Sequence, residues 1–284
     1  GDLIINLLES HAFMSQRVVS FGICLSIAMM SMAVPISEAS LDHDGKMSSA
    51  QENSESILVA FDDSIHSEGV NAMELDGSGN LIIGGIGCAR DSTELNVPFT
   101  CEMAFDGGTV STDDFVPAFI SVMDTSGRRV SMDLFSSGFG DRIDAILSLS
   151  NGDILVAGGF CWQSSRTSDL CTLEGGGMSL QGINPGTDAF VFRMTGEGQV
   201  IWSTAFWSGG NDIINSLAEG PNGEIFVYGI FCNGVMVNCN LRDGTGTNIQ
   251  SNGDTDIFLA KLDSSGSIQW VEGLGSASDD HSME

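Results

Sequence analysis

The chain has 284 residues, 42% hydrophobic and 17% charged, which supplies enough apolar material for a sizeable core and excludes a disordered chain. Its 38 acidic side chains against 10 Lys plus Arg give a formal net charge of -28, a balance that repels nucleic acid and anionic lipid. With 36 Gly, 16 Phe and a single Tyr, the composition points to short strands joined by tight turns, and so to an all-β fold.

Residues 1–13 form an upstream segment without a motif. Met14-Ser15-Gln16-Arg17 then supplies a positive start, Val18 to Val34 is apolar apart from small Ser and Gly, and Ser37-Glu38-Ala39 puts small residues at a cleavage position. Residues 14–39 therefore read as a secretory signal cut after Ala39, with an uncleaved anchor as the alternative. The apolar run is short for a spanning helix and Pro35 follows it, so no membrane insertion is expected once the signal is removed. Residues 40–56 are an acidic, Ser-rich linker. The acidic pairs farther on, Asp62-Asp63, Asp113-Asp114 and Asp279-Asp280, are spread through turns and read as a solvated surface, with adaptation to salt or cation binding as the alternatives.

From residue 57 the sequence repeats. Leu81 to Cys88 (LIIGGIGC) recurs as Ile154 to Cys161 (ILVAGGFC) and again as Ile225 to Cys232 (IFVYGIFC). A turn stands ahead of each copy, Gly77-Ser78-Gly79-Asn80, Ser150-Asn151-Gly152-Asp153 or Pro221-Asn222-Gly223-Glu224, and Asn-Gly suits a tight hairpin with positive φ. A strand must therefore precede each apolar run. Downstream, Ala118 to Met123 matches Ala189 to Met194 and Ile257 to Leu262, each closed by a turn at Gly127, Gly198 or Gly266. The strand after that turn carries Trp202 and Trp270 in the second and third copies, and Ser131 in the first.

Each unit is thus four antiparallel strands, expected at 70–75, 80–87, 116–124 and 129–135 in the first copy. The second strand is apolar on both faces, which suits a sheet stacked between two neighbours. The fold predicted is a β-propeller: about three blades of an incomplete ring, at residues 70–135, 142–206 and 213–273, with the start of a fourth at 274–284. Ile57 to Phe61 is expected to be an outer strand that closes the ring on the last blade. The chain reads as a fragment whose end sheets would bury their apolar faces in the complete protein.

Thr187-Asp188-Ala189-Phe190-Val191, Gly198-Gln199-Val200-Ile201-Trp202, Gly209-Gly210-Asn211-Asp212 and Pro221 to Gly229 (PNGEIFVYG) resemble the repeat of the seven-bladed β-propeller repeat (SBBP) proteins of bacteria and archaea. The resemblance spans residues 57–284 and is clear in the second and third copies. The first departs from it, with Pro117 where the others have Asp188 and Asp256. The resemblance implies an exported or surface-attached propeller with no catalytic residues to carry over.

Cys24 lies in the signal, and the other six cysteines fall in one loop of each copy: Cys88 with Cys101, Cys161 with Cys171, Cys232 with Cys239. The repeat and the export signal select these three local disulfides from the possible pairings. Metal binding by the cysteines is the rival; the intervals vary and no His is near. These loops run to roughly 25 residues without evident strands, a length that is often functional. In a four-stranded meander they leave from the same edge as the connection to the next blade, so they share a face with Asp141, Asp212 and Asp280. That face is the expected binding surface, with loop decoration held by disulfides as the alternative.

The histidines, His11, His43, His66 and His281, form no constellation with Ser and an acid. Trp202 and Trp270 read as packing residues, with carbohydrate stacking as the alternative. A sialidase-type Asp box fails, since Gly266 precedes Trp270 by four residues and Ser265 stands where its Asp should be. No cofactor is required. Calcium is the candidate ion: Asp254 and Asp256, and Asp76 with Asn80, place oxygen ligands on Gly-bearing turns, although neither loop continues to the acidic twelfth position of an EF-hand. The expected function is a secreted or cell-surface, non-enzymatic binding or adhesion module for an extracellular protein or glycan. The alternative is a secreted carboxylate-dependent hydrolase such as a glycosidase.

Overall fold

The computed structural model describes residues 27–30, 57–60, 67–89, 100–105, 108–114, 116–162, 171–183, 186–235 and 239–280. The remaining residues, which include the upstream segment, most of the expected signal, the linker and all four histidines, lie outside that set. The fold is all-β, with no helix among the described residues. Strands β1 (Ile27–Met30) and β2 (Ile57–Ala60) form a separate antiparallel pair. The first four-stranded sheet holds β3 (Ser67–Leu75), β4 (Leu81–Ala89), β7 (Ala118–Met123) and β8 (Arg129–Phe135), with a hairpin of β5 (Cys101–Phe105) and β6 (Gly108–Thr112) inserted between β4 and β7. The second holds β9 (Gly140–Ser148), β10 (Ile154–Trp162), β13 (Asp188–Met194) and β14 (Val200–Phe206), with the hairpin β11 (Thr172–Gly175) and β12 (Met178–Gln181). The third holds β15 (Asn211–Glu219), β16 (Ile225–Asn233), β19 (Asp256–Leu262) and β20 (Ile268–Leu274), with β17 (Asn240–Leu241) and β18 (Ile249–Gln250). Each sheet is an antiparallel meander in chain order.

The sheets stack face to face through their first strands. Strand β9 packs on β3, β4 and β7, and β15 packs on β9, β10 and β13. One core fills the first junction, with Ile82, Ile120 and Phe135 meeting Ile143, Val156 and Phe192. A second fills the other, with Leu155, Val191 and Phe206 meeting Ile214, Val227 and Phe258. Phe135 and Phe192 approach to 4.7 Å between ring centroids, and Phe206 and Phe258 to 5.1 Å. Each fully buried ring contributes about 1.5–3 kcal/mol of transfer free energy. Because sheets lie on both sides of it, β10 is buried at every position from Ile154 to Cys161, which accounts for its unbroken apolar run. No ring is closed among the described residues.

A bulge kinks each first strand. Asn71, Asp144 and Asn215 are the residues skipped in the pairing, and Gly85, Gly158 and Gly229 face the kink from the next strand. The backbones meet so closely there that a Cβ on Gly85 would lie 1.8 Å from the Gly69 carbonyl oxygen, and one on Gly158 would lie 2.1 Å from that of Arg142. Glycine is therefore required by contact, which explains its recurrence in the middle of an otherwise apolar strand.

One expectation is corrected. The long loops are not strandless: each folds into its own two-stranded hairpin, and in β11–β12 the turn is made by Gly175, Gly176 and Gly177, all with positive φ. The strand expected at Ile57 to Phe61 forms over Ile57–Ala60 and pairs with Ile27–Met30.

Candidate functional site

Asp141 and Asp212 are 2% and 0% exposed, so they lie beneath the expected binding surface and not on it. The Asp141 carboxylate accepts the Ser137 N–H at 2.7 Å, the Ser137 hydroxyl at 2.6 Å and the Cys161 N–H at 2.9 Å. Asp212 accepts the Ser208 hydroxyl at 2.6 Å and the Cys232 N–H at 3.0 Å, together with the Ser208 N–H. Cys88, Cys161 and Cys232 have φ of 47°, 67° and 63°, the left-handed region that costs a non-glycine residue about 1–3 kcal/mol. At Cys161 and Cys232 that conformation goes with an N–H aimed at the buried carboxylate. Each aspartate thus holds the entry of one strand, the strained cysteine of its neighbour and the serine four residues upstream. Asp280 repeats part of this node: it is partly exposed and accepts the Ser276 N–H at 2.5 Å. In the first sheet, Glu68 stands at the matching register.

Burial pushes Asp141 up from the ordinary 3.8 to about 7; the Ser137 and Cys161 bonds oppose the rise, and the charge of Asp114 adds to it. Burial likewise drives Asp212 well above the carboxylate range, with the Asp188 charge adding to the effect. The folded chain then keeps a proton that the unfolded chain has released. The stabilisation is full below the unfolded value and is lost as the pH rises through about 7. We expect the melting temperature to fall between about pH 4 and about pH 7, and Asp141→Asn to lessen that fall. Thermal melts across this range check it, and an identical pH dependence in the variant would remove Asp141 as its source.

Cys88 is bonded to Cys101, Cys161 to Cys171 and Cys232 to Cys239, with Cα atoms 5.6, 6.1 and 5.8 Å apart. These are the three pairs read from the repeat. Loops of this length gain about 2–3 kcal/mol from closure, and three such bridges fit an oxidising environment. The hairpins they root lie at the edge where the chain passes from one sheet to the next. Ser136, just past β8, exchanges two backbone hydrogen bonds of 2.9 Å with Glu174 of β11, and Trp207, just past β14, exchanges bonds of 2.9 and 2.8 Å with Arg242 beyond β17. Each of these hairpins therefore clasps the outer strand of the preceding sheet.

The candidate calcium ligands serve turns. Asp76 accepts the Ser78 and Asn80 N–H groups at 2.8 Å each and the Asn80 side-chain amide at 2.7 Å, so Asn80 faces the carboxylate as a donor. Slight burial raises Asp76, but the Asn80 and Ser78 bonds outweigh it and hold the carboxyl below its usual range. Asp124 and Asp263 close hairpins in the same way. Asp254 accepts the Gly234 N–H at 3.1 Å, whereas Asp256, 1% exposed, accepts the Asn252 N–H. The Asp256 Oδ1 lies against Gly275, where a Cβ would be 1.9 Å away, so only glycine fits at that position beside it. Among the described residues no three His, Cys, Asp or Glu side chains converge as a metal site.

One groove of about 470 Å³ opens at the outer edge between the second and third sheets. Gln181, Ser203, Thr204, Thr245 and Ser267 line it with amide and hydroxyl groups, and Leu180, Trp207 and Ile268 supply its apolar wall. Its one carboxylate, Asp243, is turned into its own loop, where it accepts the N–H and hydroxyl groups of both Thr245 and Thr247. The Trp207 ring lies over Gly244, where a Cβ would be 3.0 Å from it. Trp202 packs instead, its ring against Gly266 and its Nε1 donating to the Ser264 carbonyl at 3.1 Å. No family model matches the chain, and no curated protein matches it.

Ser137 and Ser208 were visible in the sequence only as a serine four residues before each aspartate, repeated at Ser276 and Asp280. The groove had no such signal, because its walls come from two units and no single copy contains it.

Proposed function

We propose that this chain is part of a secreted or cell-surface β-propeller of the SBBP type that binds a ligand and does not transform it. The stacked meanders, the three local disulfides and the sequence repeat support the propeller and its export. The observation that carries the function is the groove: hydroxyl and amide groups beside an aromatic wall, with its carboxylate committed to its own loop. Such a lining suits a glycan, whose hydroxyls pair with Ser, Thr and Gln while its apolar faces rest on Trp207 and Ile268. It lacks the free pair of carboxyl groups that glycoside hydrolysis requires.

A glycan array probed with the exported protein, run beside a panel of glycosidase substrates, tests this. Binding without turnover is expected. Gln181→Ala with Ser203→Ala should weaken it about tenfold, as the loss of two hydrogen bonds would. Turnover abolished by a single carboxylate change would replace this reading with the hydrolase.

A further inference from the structure

The groove lies at one of two matching junctions, and the two differ in chemistry. At the outer edge between the first and second sheets, Asp133 of β8 faces the turn before β14, where a Cβ on Gly198 would lie 2.8 Å from its Oδ2. Between the second and third sheets, Thr204 holds the register position of Asp133, and its hydroxyl donates to the Gly266 carbonyl at 2.9 Å in the turn before β20. Ser203 likewise stands where the first junction has Met132. A carboxylate and a thioether are thus replaced by two hydroxyls where the groove opens.

The hairpins differ as well. The glycine turn of β11–β12 seats on the first junction: the Val200 N–H donates to the Gly176 carbonyl at 2.9 Å, and a Cβ on Gly176 would lie 2.9 Å from the Gly198 carbonyl oxygen. Ile268, which matches Val200, lines the groove instead, beside the longer connection between β17 and β18.

Among the described residues no Lys or Arg lines this groove. Arg193 is held by Asp153 at 2.6 Å and Lys261 by Glu224 at 3.2 Å, and Arg242, whose backbone pairs with Trp207, is exposed and outside the lining. The one charge there is that of Asp243, which is 7% exposed. An anionic group brought into the groove would lose water without gaining a positive partner and would approach the Asp243 carboxylate. A hydroxyl would instead exchange its bonds to water for bonds to Gln181 and Ser203.

We propose that the groove takes uncharged glycans and rejects those carrying a carboxylate or sulfate on the sugar that it holds. The inference rests on the glycan reading above and adds to it the charge class of the ligand.

A glycan array that carries neutral oligosaccharides beside their uronic acid, sialylated and sulfated derivatives tests this with the exported protein. Each derivative should bind at least about tenfold more weakly than its neutral parent, as an unpaired charge in the groove requires. The preference should persist in about 1 M salt, where charges are screened within about 3 Å and the net charge of -28 no longer acts at a distance. Gln181→Lys, at an exposed position, places an ammonium in the lining and should narrow the difference at least about threefold. Equal or tighter binding of the charged derivatives would overturn the inference and leave the glycan reading standing. So would a preference that vanishes in high salt or is unmoved by the lysine, since its source would then be the whole surface and not the groove. Binding of no glycan at all would overturn both.

Discussion

Gly158→Ala is expected to cost about 3 kcal/mol or more and to unfold the junction of the first two sheets before the rest of the chain. The added Cβ would sit 2.1 Å from the Arg142 carbonyl oxygen and 3.0 Å from its carbon, with the Asp144 nitrogen at 3.1 Å. All three atoms are backbone, so no rotamer change relieves the overlap. The bulge at Asp144 would have to open, and that bulge positions Ile143 and Ile146 in the core between the sheets. Gly77→Ala is the control, because nothing lies within 4 Å of a Cβ there, and a change within about 0.5 kcal/mol is expected. Urea unfolding of both variants measures the difference as a shift in midpoint. A Gly158→Ala chain as stable as the parent would mean that β9 and β10 do not approach this closely.

Asp212→Ala should cost about 3–5 kcal/mol, since three buried donors would be left without their acceptor at roughly 1–3 kcal/mol each. The Ser208 N–H, the Ser208 hydroxyl and the Cys232 N–H would lose that acceptor inside the protein, and Cys232 would keep its left-handed φ without the carboxylate that its N–H meets. Asp280→Ala removes a single partly exposed bond to Ser276 and is expected to cost about 1 kcal/mol. Amide exchange adds a local reading: protection at Cys232 should collapse in Asp212→Ala while Cys161, served by Asp141, is less affected. Equal costs for the two substitutions would show that burial of Asp212 contributes nothing beyond its turn.

The sequence by itself determined the four long strands of each unit, their order and the cysteine pairs. These are local matters: a Gly turn sets which segments pair, an apolar run on both faces of β10 announces burial on both sides, and the Cys161–Cys171 loop is short enough to be closed by neighbours in the chain. Repetition made each signal readable three times. Only the tertiary structure decided what the acids do. Asp141, Asp212, Asp76 and Asp243 look alike in a chain with 38 acidic side chains, and the first two were assigned to a surface because charged residues usually lie there. Their burial depends on donors from Ser137, Ser208, Cys161 and Cys232 converging through strand pairing and the left-handed cysteines, which spacing alone does not reveal. The hairpin clasps at Ser136 with Glu174 and at Trp207 with Arg242, and the groove walled by Gln181 and Ser267, likewise exist only between sheets. Contacts of that kind are set by how one folded unit lies on the next, a relation that no stretch of either unit records.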